Sequence, residues 1–315
     1  MASVFPKRRL DDLPFVGLII ALSCGLLFPQ WFTPFFTLTG VLLQFIFFAS
    51  GLRIDLRSIL PELKDFKLFA AVSLLRLVVF PIGVYFVSIS FFPDLTVPLV
   101  LLAAMPAGMT SPLFVDMIRA NVPLSLLLTA GTSLLSVVTL PVMLGLLGGD
   151  ATVYEPTPMF QTLFSIMIIP ILIAQLVRLP ETGRLTIMRG QSLIRLSSIL
   201  ALWLLIASIA SKHSDAILEG LLGGRTLFAL FIMSALLVAF HVAAYMVCYW
   251  RSKRDRITVT LSLSYMNFTL AIFLAETLFQ DPGVVLVVIL SMLPWNMSLL
   301  VFQWLVRRSS WVIRG

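Results

Sequence analysis

An all-α polytopic membrane protein with ten transmembrane helices is the fold class predicted by three observations: charge density, the length of the apolar runs, and the placement of basic residues. Only 12% of the 315 residues are charged and 59% are hydrophobic, where a soluble domain carries roughly a quarter charged residues. The apolar residues fall in runs of about 18 or more, long enough for helices that satisfy their own backbone groups in a bilayer core. The basic residues flank these runs and form no patch on a soluble face. The net charge of +7 is therefore no signal for nucleic acid.

Reading from polar break to polar break places the spans at Leu13–Phe28, Phe36–Leu52, Leu68–Ile89, Val97–Met117, Leu124–Leu147, Met159–Val177, Ser192–Ser211, Thr226–Trp250, Ile257–Phe279 and Gly283–Val306. Lys7-Arg8-Arg9 before the first span looks like a signal n-region, and Ala21-Leu22-Ser23-Cys24 faintly like a lipoprotein cleavage site. The many later spans favour a retained signal anchor. After the second span, the connection from Arg53 to Lys67 sets Ile54, Leu56, Ile59, Leu60 and Leu63 among charges, the pattern of a segment lying along the interface.

The third span carries Arg76, and the fourth is interrupted by Met105-Pro106-Ala107-Gly108-Met109-Thr110-Ser111-Pro112. Two prolines, a glycine and two hydroxyls do not sustain an unbroken helix. In lipid such a break is tolerated where the freed backbone faces protein or a water-filled cavity. The ninth span carries Ser262-Leu263-Ser264-Tyr265-Met266-Asn267-Phe268-Thr269, polar but without glycine or proline, which leaves its continuity open. Cys24 and Cys248 each lie in an apolar run and suggest neither a disulfide framework nor a metal site.

Alternating the spans from a cytoplasmic N-terminus puts every lysine and arginine except Arg76, Lys212 and Arg225 at an inner end. This matches the positive-inside rule and predicts a multi-pass protein of the cell (inner) membrane with both termini cytoplasmic. Five spans in residues 1–147 and five in 148–315 place equivalent helices in opposite orientations, the pattern of an inverted repeat. A monomer embedded in the lipid bilayer is the expected assembly.

Counting about 1.5 Å per residue from the basic ends brings Arg76, Thr110, Tyr265 and His241 to one level near the middle of the bilayer core. Arginine is costly there and seldom faces lipid. No carboxylate shares its depth, since Asp116 and Glu276 lie near opposite faces. Arg76 is therefore expected to look into the cavity where the interrupted helices meet and to serve an anionic substrate, or to be held by carbonyls freed at the break. Asp116 and Arg119 read as a helix-end ion pair. His241 reads as a neutral packed histidine or a proton and polar relay. The chain has no Walker-type loop, HExxH motif or paired intramembrane aspartates, so neither ATP-driven pumping nor membrane hydrolysis is predicted.

The residues Met105-Pro106-Ala107-Gly108-Met109-Thr110-Ser111, then Arg119-Ala120-Asn121-Val122-Pro123-Leu124-Ser125, Thr129, Thr132-Ser133 and Pro141, resemble the signature of the bile acid:sodium symporter family. Gly51-Leu52 with Leu56, Asn267 and Asn296 extend the likeness over roughly residues 13–308. The resemblance implies ten helices in a panel and a core domain, with broken fourth and ninth helices crossing at the substrate and ion sites. It implies transport of bile acids, steroid sulfates or small carboxylates, usually with two sodium ions. Ser111, Ser125 and Thr129 match the family's sodium-ligating hydroxyls. Met109, Thr110, Ser111, Asn267, Thr269 and Asn296 are the expected substrate-binding residues.

The departures concern the ion site. The family's asparagine falls at Pro112, its ninth-span glutamate at Ser262, the following glutamine at Met266, and its third-span glutamine at Arg76. One negative charge is lost and one positive charge gained, so the expected protein is an organic-anion transporter in which Arg76 stands in for sodium. Na⁺ is the one cofactor-like ion in question, and no metal ligand set is predicted. Two other readings remain: a sodium-coupled symporter using Ser111, Ser125, Thr129 and carbonyls, and a membrane receptor without transport.

Overall fold

In the computed structural model, the described residues are 13–55, 59, 61–147, 156–220, 223–279 and 281–308. Lys7-Arg8-Arg9 and parts of the 53–67 connection lie outside them. All regular structure among the described residues is helical, and one isolated bridge joins two extended residues. The helices are α1 (Leu13–Leu27), α2 (Pro29–Arg53), α3 (Glu62–Phe91), α4 (Pro93–Ala104), α5 (Ser111–Met117), α6 (Val122–Leu147) and α7 (Pro156–Arg178). They continue as α8 (Glu181–Lys212), α9 (Ser214–Gly220), α10 (Gly224–Val247), α11 (Lys253–Ser264), α12 (Phe268–Phe279), α13 (Pro282–Leu290) and α14 (Met292–Arg308).

Among the described residues, seven helices are long and apolar enough to cross a membrane: α2, α3, α6, α7, α8, α10 and the joined stretch of α13 and α14. Shorter apolar helices occupy Gly17–Leu27, Pro93–Ala104 and Phe268–Phe279. Trp31, Phe86, Leu146 and Phe231 are exposed on the outside of the bundle, where a soluble protein would carry charge and a lipid-embedded one carries apolar groups.

The two halves of the chain interleave. α8 packs along α1 and α2, and α2 also packs against α7, while α3 packs on α4 and α10 on α11. The α1–α8 contact relies on Gly17, Ala21 and Gly25, small residues at a spacing of four that bring helix backbones together. A Cβ on Gly25 would lie 2.4 Å from the carbonyl oxygen of Ala207, closer than any real contact.

α3, α7 and α12 each contain a π-turn, at Leu75–Val79, Phe164–Ile168 and Ala275–Phe279. Such turns insert a residue and rotate the side chains that follow. The polar ninth segment does break: α11 stops at Ser264 and α12 begins at Phe268. The expected Asp116–Arg119 ion pair is absent among the described residues. Instead the Arg119 N–H donates to the Asp116 carbonyl at 2.9 Å, and Arg119 takes φ 60°, a left-handed turn that ends α5 and separates the two side chains.

Gly25→Leu is expected to destabilise the protein by about 1–3 kcal/mol through overpacking against Ala207. Gly145→Ala, at a glycine with nothing within 4 Å, should leave stability unchanged or slightly raised. Thermal denaturation of the detergent-purified protein checks both.

Candidate functional site

The site is built where the two helix breaks meet. Prolines and a glycine leave the backbone between α4 and α5 without helical partners, and the gap between α11 and α12 supplies them. The Gly108 N–H donates to the Tyr265 carbonyl at 2.7 Å, and the Asn267 N–H donates to the Pro106 carbonyl at 2.9 Å. Together they close an antiparallel bridge between Ala107 and Met266. A Cβ on Gly108 would sit 2.7 Å from the Met266 carbonyl oxygen, so the close approach requires glycine.

Side chains complete the crossing. Thr132 Oγ1 accepts from the Ala107 N–H at 3.1 Å, and Ser111 Oγ donates to the Tyr265 carbonyl at 3.4 Å. Asn267 Oδ1 caps α12 by accepting from the Leu270 N–H at 3.1 Å. Asn121 does the same for α6 through Leu124 at 3.1 Å, and its Nδ2 donates to Asp255 at 3.0 Å, tying the start of α6 to α11.

Against this crossing lies a crevice of about 120 Å³. Met109, Thr110, Met266, Asn267 and Thr269 line it from the breaks, with Asn296 from α14. Ser50 and Arg53 of α2 and Arg195 and Ser198 of α8 complete the polar lining. A second hollow of about 340 Å³ shares Arg53, Leu113 and Arg195 and adds Asp116 and Gln191. Arg53 and Arg195 therefore stand where the two hollows meet. Both arginines lie at inner span ends in the sequence, where nothing signals that they line one crevice.

Arg76 does not line this crevice. It is fully buried in the π-turn of α3, and none of its three guanidinium nitrogens has a hydrogen-bond partner among the described residues. Its carbon Cζ lies 6.0 Å from the centre of the Phe240 ring. An aromatic file runs on from there, Phe240 to Trp295 at 6.5 Å and Trp295 to Phe268 at 5.1 Å, and Phe268 faces the crevice. These ring contacts link the guanidinium to the wall of the cavity it was expected to face. Carbonyls of the break do not hold it.

Ser111, expected to touch substrate, is buried and pins the crossing instead. His241 bonds the Leu237 carbonyl of its own helix through Nδ1 at 2.8 Å, packs edge-on to Tyr265, and leaves Nε2 buried without a hydrogen-bond partner among the described residues. The candidate ion-site residues do come together in part: Ser125 Oγ and Ser262 Oγ lie 3.1 Å apart and bond each other. Thr129 Oγ1 is buried without a hydrogen-bond partner among the described residues, and Thr129 and Pro112 line a small hollow of about 40 Å³ with Met109. The π-turn bearing Arg76 packs on α6, the helix of Ser125 and Thr129.

At the other end of α8, Glu276 in the π-turn of α12 is buried and accepts hydrogen bonds from Lys212 Nζ at 2.5 Å and from His213 Nε2. Lys212 also lies over the Phe36 ring, 4.0 Å from its centre. Thr33 Oγ1 donates to Ser211 Oγ at 3.2 Å beside them. An ion-paired cluster thus joins the end of α8 to α12, with Thr33 and Phe36 of α2 packed beside it.

The model of the SBF-like CPA transporter family matches residues 14–311, nearly the whole chain. The chain belongs to that family. It is a transporter family. Among curated proteins it is similar to the probable sodium/metabolite cotransporter BASS1, chloroplastic, of Arabidopsis thaliana, at 28% identity over 49% of this chain and 39% of that protein. It is also similar to sodium/bile acid cotransporter 7 of Xenopus tropicalis, at 29% identity over 52% of this chain and 51% of that protein. The matched regions span about two-fifths to one-half of these relatives' length.

For this member of the SBF-like family, the Ser125–Ser262 bond carries a direct consequence. Ser262→Ala strands a buried hydroxyl and is expected to cost about 1–3 kcal/mol, whereas the double replacement Ser125→Ala/Ser262→Ala should recover most of that loss. A double-mutant cycle on thermal unfolding reads the coupling.

Proposed function

We propose that the protein is a secondary transporter of a small or amphipathic organic anion, bile acid-like or a carboxylate, working by alternating access with sodium dependence weak or lost. The observation that carries this reading is the crevice built on two paired helix breaks in a chain of a transporter family. Unwound backbone at the crossing of two broken helices is a recurrent way to bind substrate within a membrane.

In this reading all ten apolar segments span the bilayer, residues 1–147 and 148–315 are inverted repeats, and both termini are cytoplasmic. The mouth at Arg53 and Arg195 then opens inward, and the Lys212–His213–Glu276 seal closes the outer side. Outward opening parts α12 from α8 and α2, which requires the seal to break. Met109, Thr110, Asn267, Thr269 and Asn296 contact the substrate, and Ser111 holds the two breaks together as the core moves.

Arg76 supplies a fixed positive charge where a coupling cation would otherwise bind. Three features support this. Ser125 and Ser262 are engaged with each other, Ser111 with a carbonyl, and none of these bonds involves a carboxylate. Hard cations such as sodium favour several oxygen ligands, a carboxylate among them, and the hydroxyls here are a poor set. The buried guanidinium stays charged because its intrinsic basicity is so high.

A second reading, sodium-coupled symport through Ser111, Ser125 and Thr129, is favoured by the names of the curated relatives and by the unpartnered Thr129 hydroxyl. Uptake of organic anions into proteoliposomes, with sodium or choline as the external cation, separates the two. Comparable uptake in both is expected, and Arg76→Gln should abolish uptake or make it sodium-dependent. A strict sodium requirement in the unmodified protein refutes the fixed-charge account and leaves the transporter intact. Absence of flux for every anion refutes transport itself.

A further inference from the structure

We infer that Asp116 and Arg53 are the two halves of an inner latch, open in this structure, that pair when the Lys212–His213–Glu276 cluster parts and so hold the outward-open state. This rests on the transporter reading and deepens it by naming the residues that set the balance between its two states.

The chain passes Ala107 and Met266 in antiparallel sense, so the helices that follow, α5 and α12, leave the crossing in opposite directions. Each carries one carboxylate at a similar remove. Asp116 stands nine residues beyond Ala107, and Glu276 ten beyond Met266. Both carboxylates address the same two helices. Glu276 is held by Lys212 and His213 at the end of α8, with Phe36 of α2 against Lys212. Asp116 lines the hollow of about 340 Å³ together with Gln191 and Ser192 of α8 and Arg53 of α2. At ~1.5 Å per residue, Ser192 and Lys212 are about 30 Å apart along α8, the thickness of a bilayer core.

The two carboxylates differ in how they are engaged. Glu276 is buried and paired. Asp116 is exposed, and neither it nor Arg53 forms an ion pair among the described residues. Opposite charges thus share an open hollow at one end while the corresponding carboxylate is clamped at the other. Closing the hollow withdraws both charges from water. A desolvated charge left alone is strongly unfavourable, whereas one with a hydrogen-bonded partner is tolerated, so closure selects the pair. The planar fork of Arg53 suits a carboxylate partner. Because α5 and α12 are tied through Gly108 to Tyr265 and Asn267 to Pro106, movement of Glu276 away from α8 carries Asp116 toward Arg53. Each latch forms only as the other opens, and the ratio of the two states follows the difference between them.

The test uses the full chain in liposomes, in a Cys24→Ala/Cys248→Ala background so that only introduced cysteines react. Disulfide formation between Leu113→Cys and Gln191→Cys, which line the hollow from α5 and α8, reads its closure with both charges in place. Ser192→Cys replaces Gln191→Cys if that pair fails to fold. Glu276→Gln, which releases the outer cluster, is expected to speed the disulfide by about fivefold or more. Asp116→Asn and Arg53→Gln should each slow it by about tenfold, the scale of one charge-assisted hydrogen bond. The exchange Asp116→Arg/Arg53→Asp should restore most of the rate, which a merely structural role of either residue would not do.

No disulfide from either pair, a rate indifferent to Glu276→Gln, or an exchange variant as slow as the single variants overturns the inference. Uptake of cholate, hexanoate and 2-naphthoate into the same liposomes distinguishes its failure from failure of the transporter reading. Uptake together with closure that ignores both charges sinks this inference alone. Charge-dependent closure without uptake of any anion sinks the transporter reading alone.

Discussion

The antiparallel contact between Ala107 and Met266 is the constraint on which the rest of the structure depends. Breaking a helix inside a bundle exposes N–H and C=O groups that lipid cannot satisfy, at a cost of several kcal/mol for each group. Here each break supplies the other's partners, through Gly108 to Tyr265 and Asn267 to Pro106. Neither interruption is satisfied without its counterpart. Pro106 and Gly108 are consequently not isolated kinks in α4; they are half of a two-part joint whose other half lies more than 150 residues later. The crevice follows from it, because helices that end at the crossing leave their side chains at Met109, Thr110, Asn267 and Thr269 around open space.

Charge is arranged around that joint in three different ways. Lys212 and His213 satisfy Glu276 at one end of the bundle, where a buried carboxylate alone would be strongly unfavourable. Arg53 and Arg195 meet at the junction of the two hollows. Arg76 is enclosed, with Phe240 the nearest ring and no hydrogen-bond acceptor among the described residues.

Much of the architecture was legible because the bilayer simplifies the sequence code. Every apolar run read from the chain is helical over most of its length: Leu13–Phe28 became Leu13–Leu27 and Met159–Val177 became Pro156–Arg178, whereas Ser192–Ser211 extends eleven residues earlier, to Glu181, and Val97–Met117 and Ile257–Phe279 each split in two. The fourth-segment break was visible because proline and glycine act locally on the backbone. The ninth was less so, since its break is stabilised by the opposite strand and by the Asn267 cap. The Asn267–Leu270 cap spacing was the one local signal available there.

The chain alone determined the membrane class and the order of its apolar helices. Those follow from length and hydropathy, both of which are local. Only the tertiary structure decided which way each side chain points around its helix. Membrane helices are apolar on the lipid side and on the packed side alike, so periodicity carries little azimuthal information. That is why Arg76 stood out in the sequence as a charge inside a span, while its burial beside Phe240 did not. It is also why Arg53 and Arg195, distant in sequence and ordinary as span-end arginines, came together only when α2 and α8 packed.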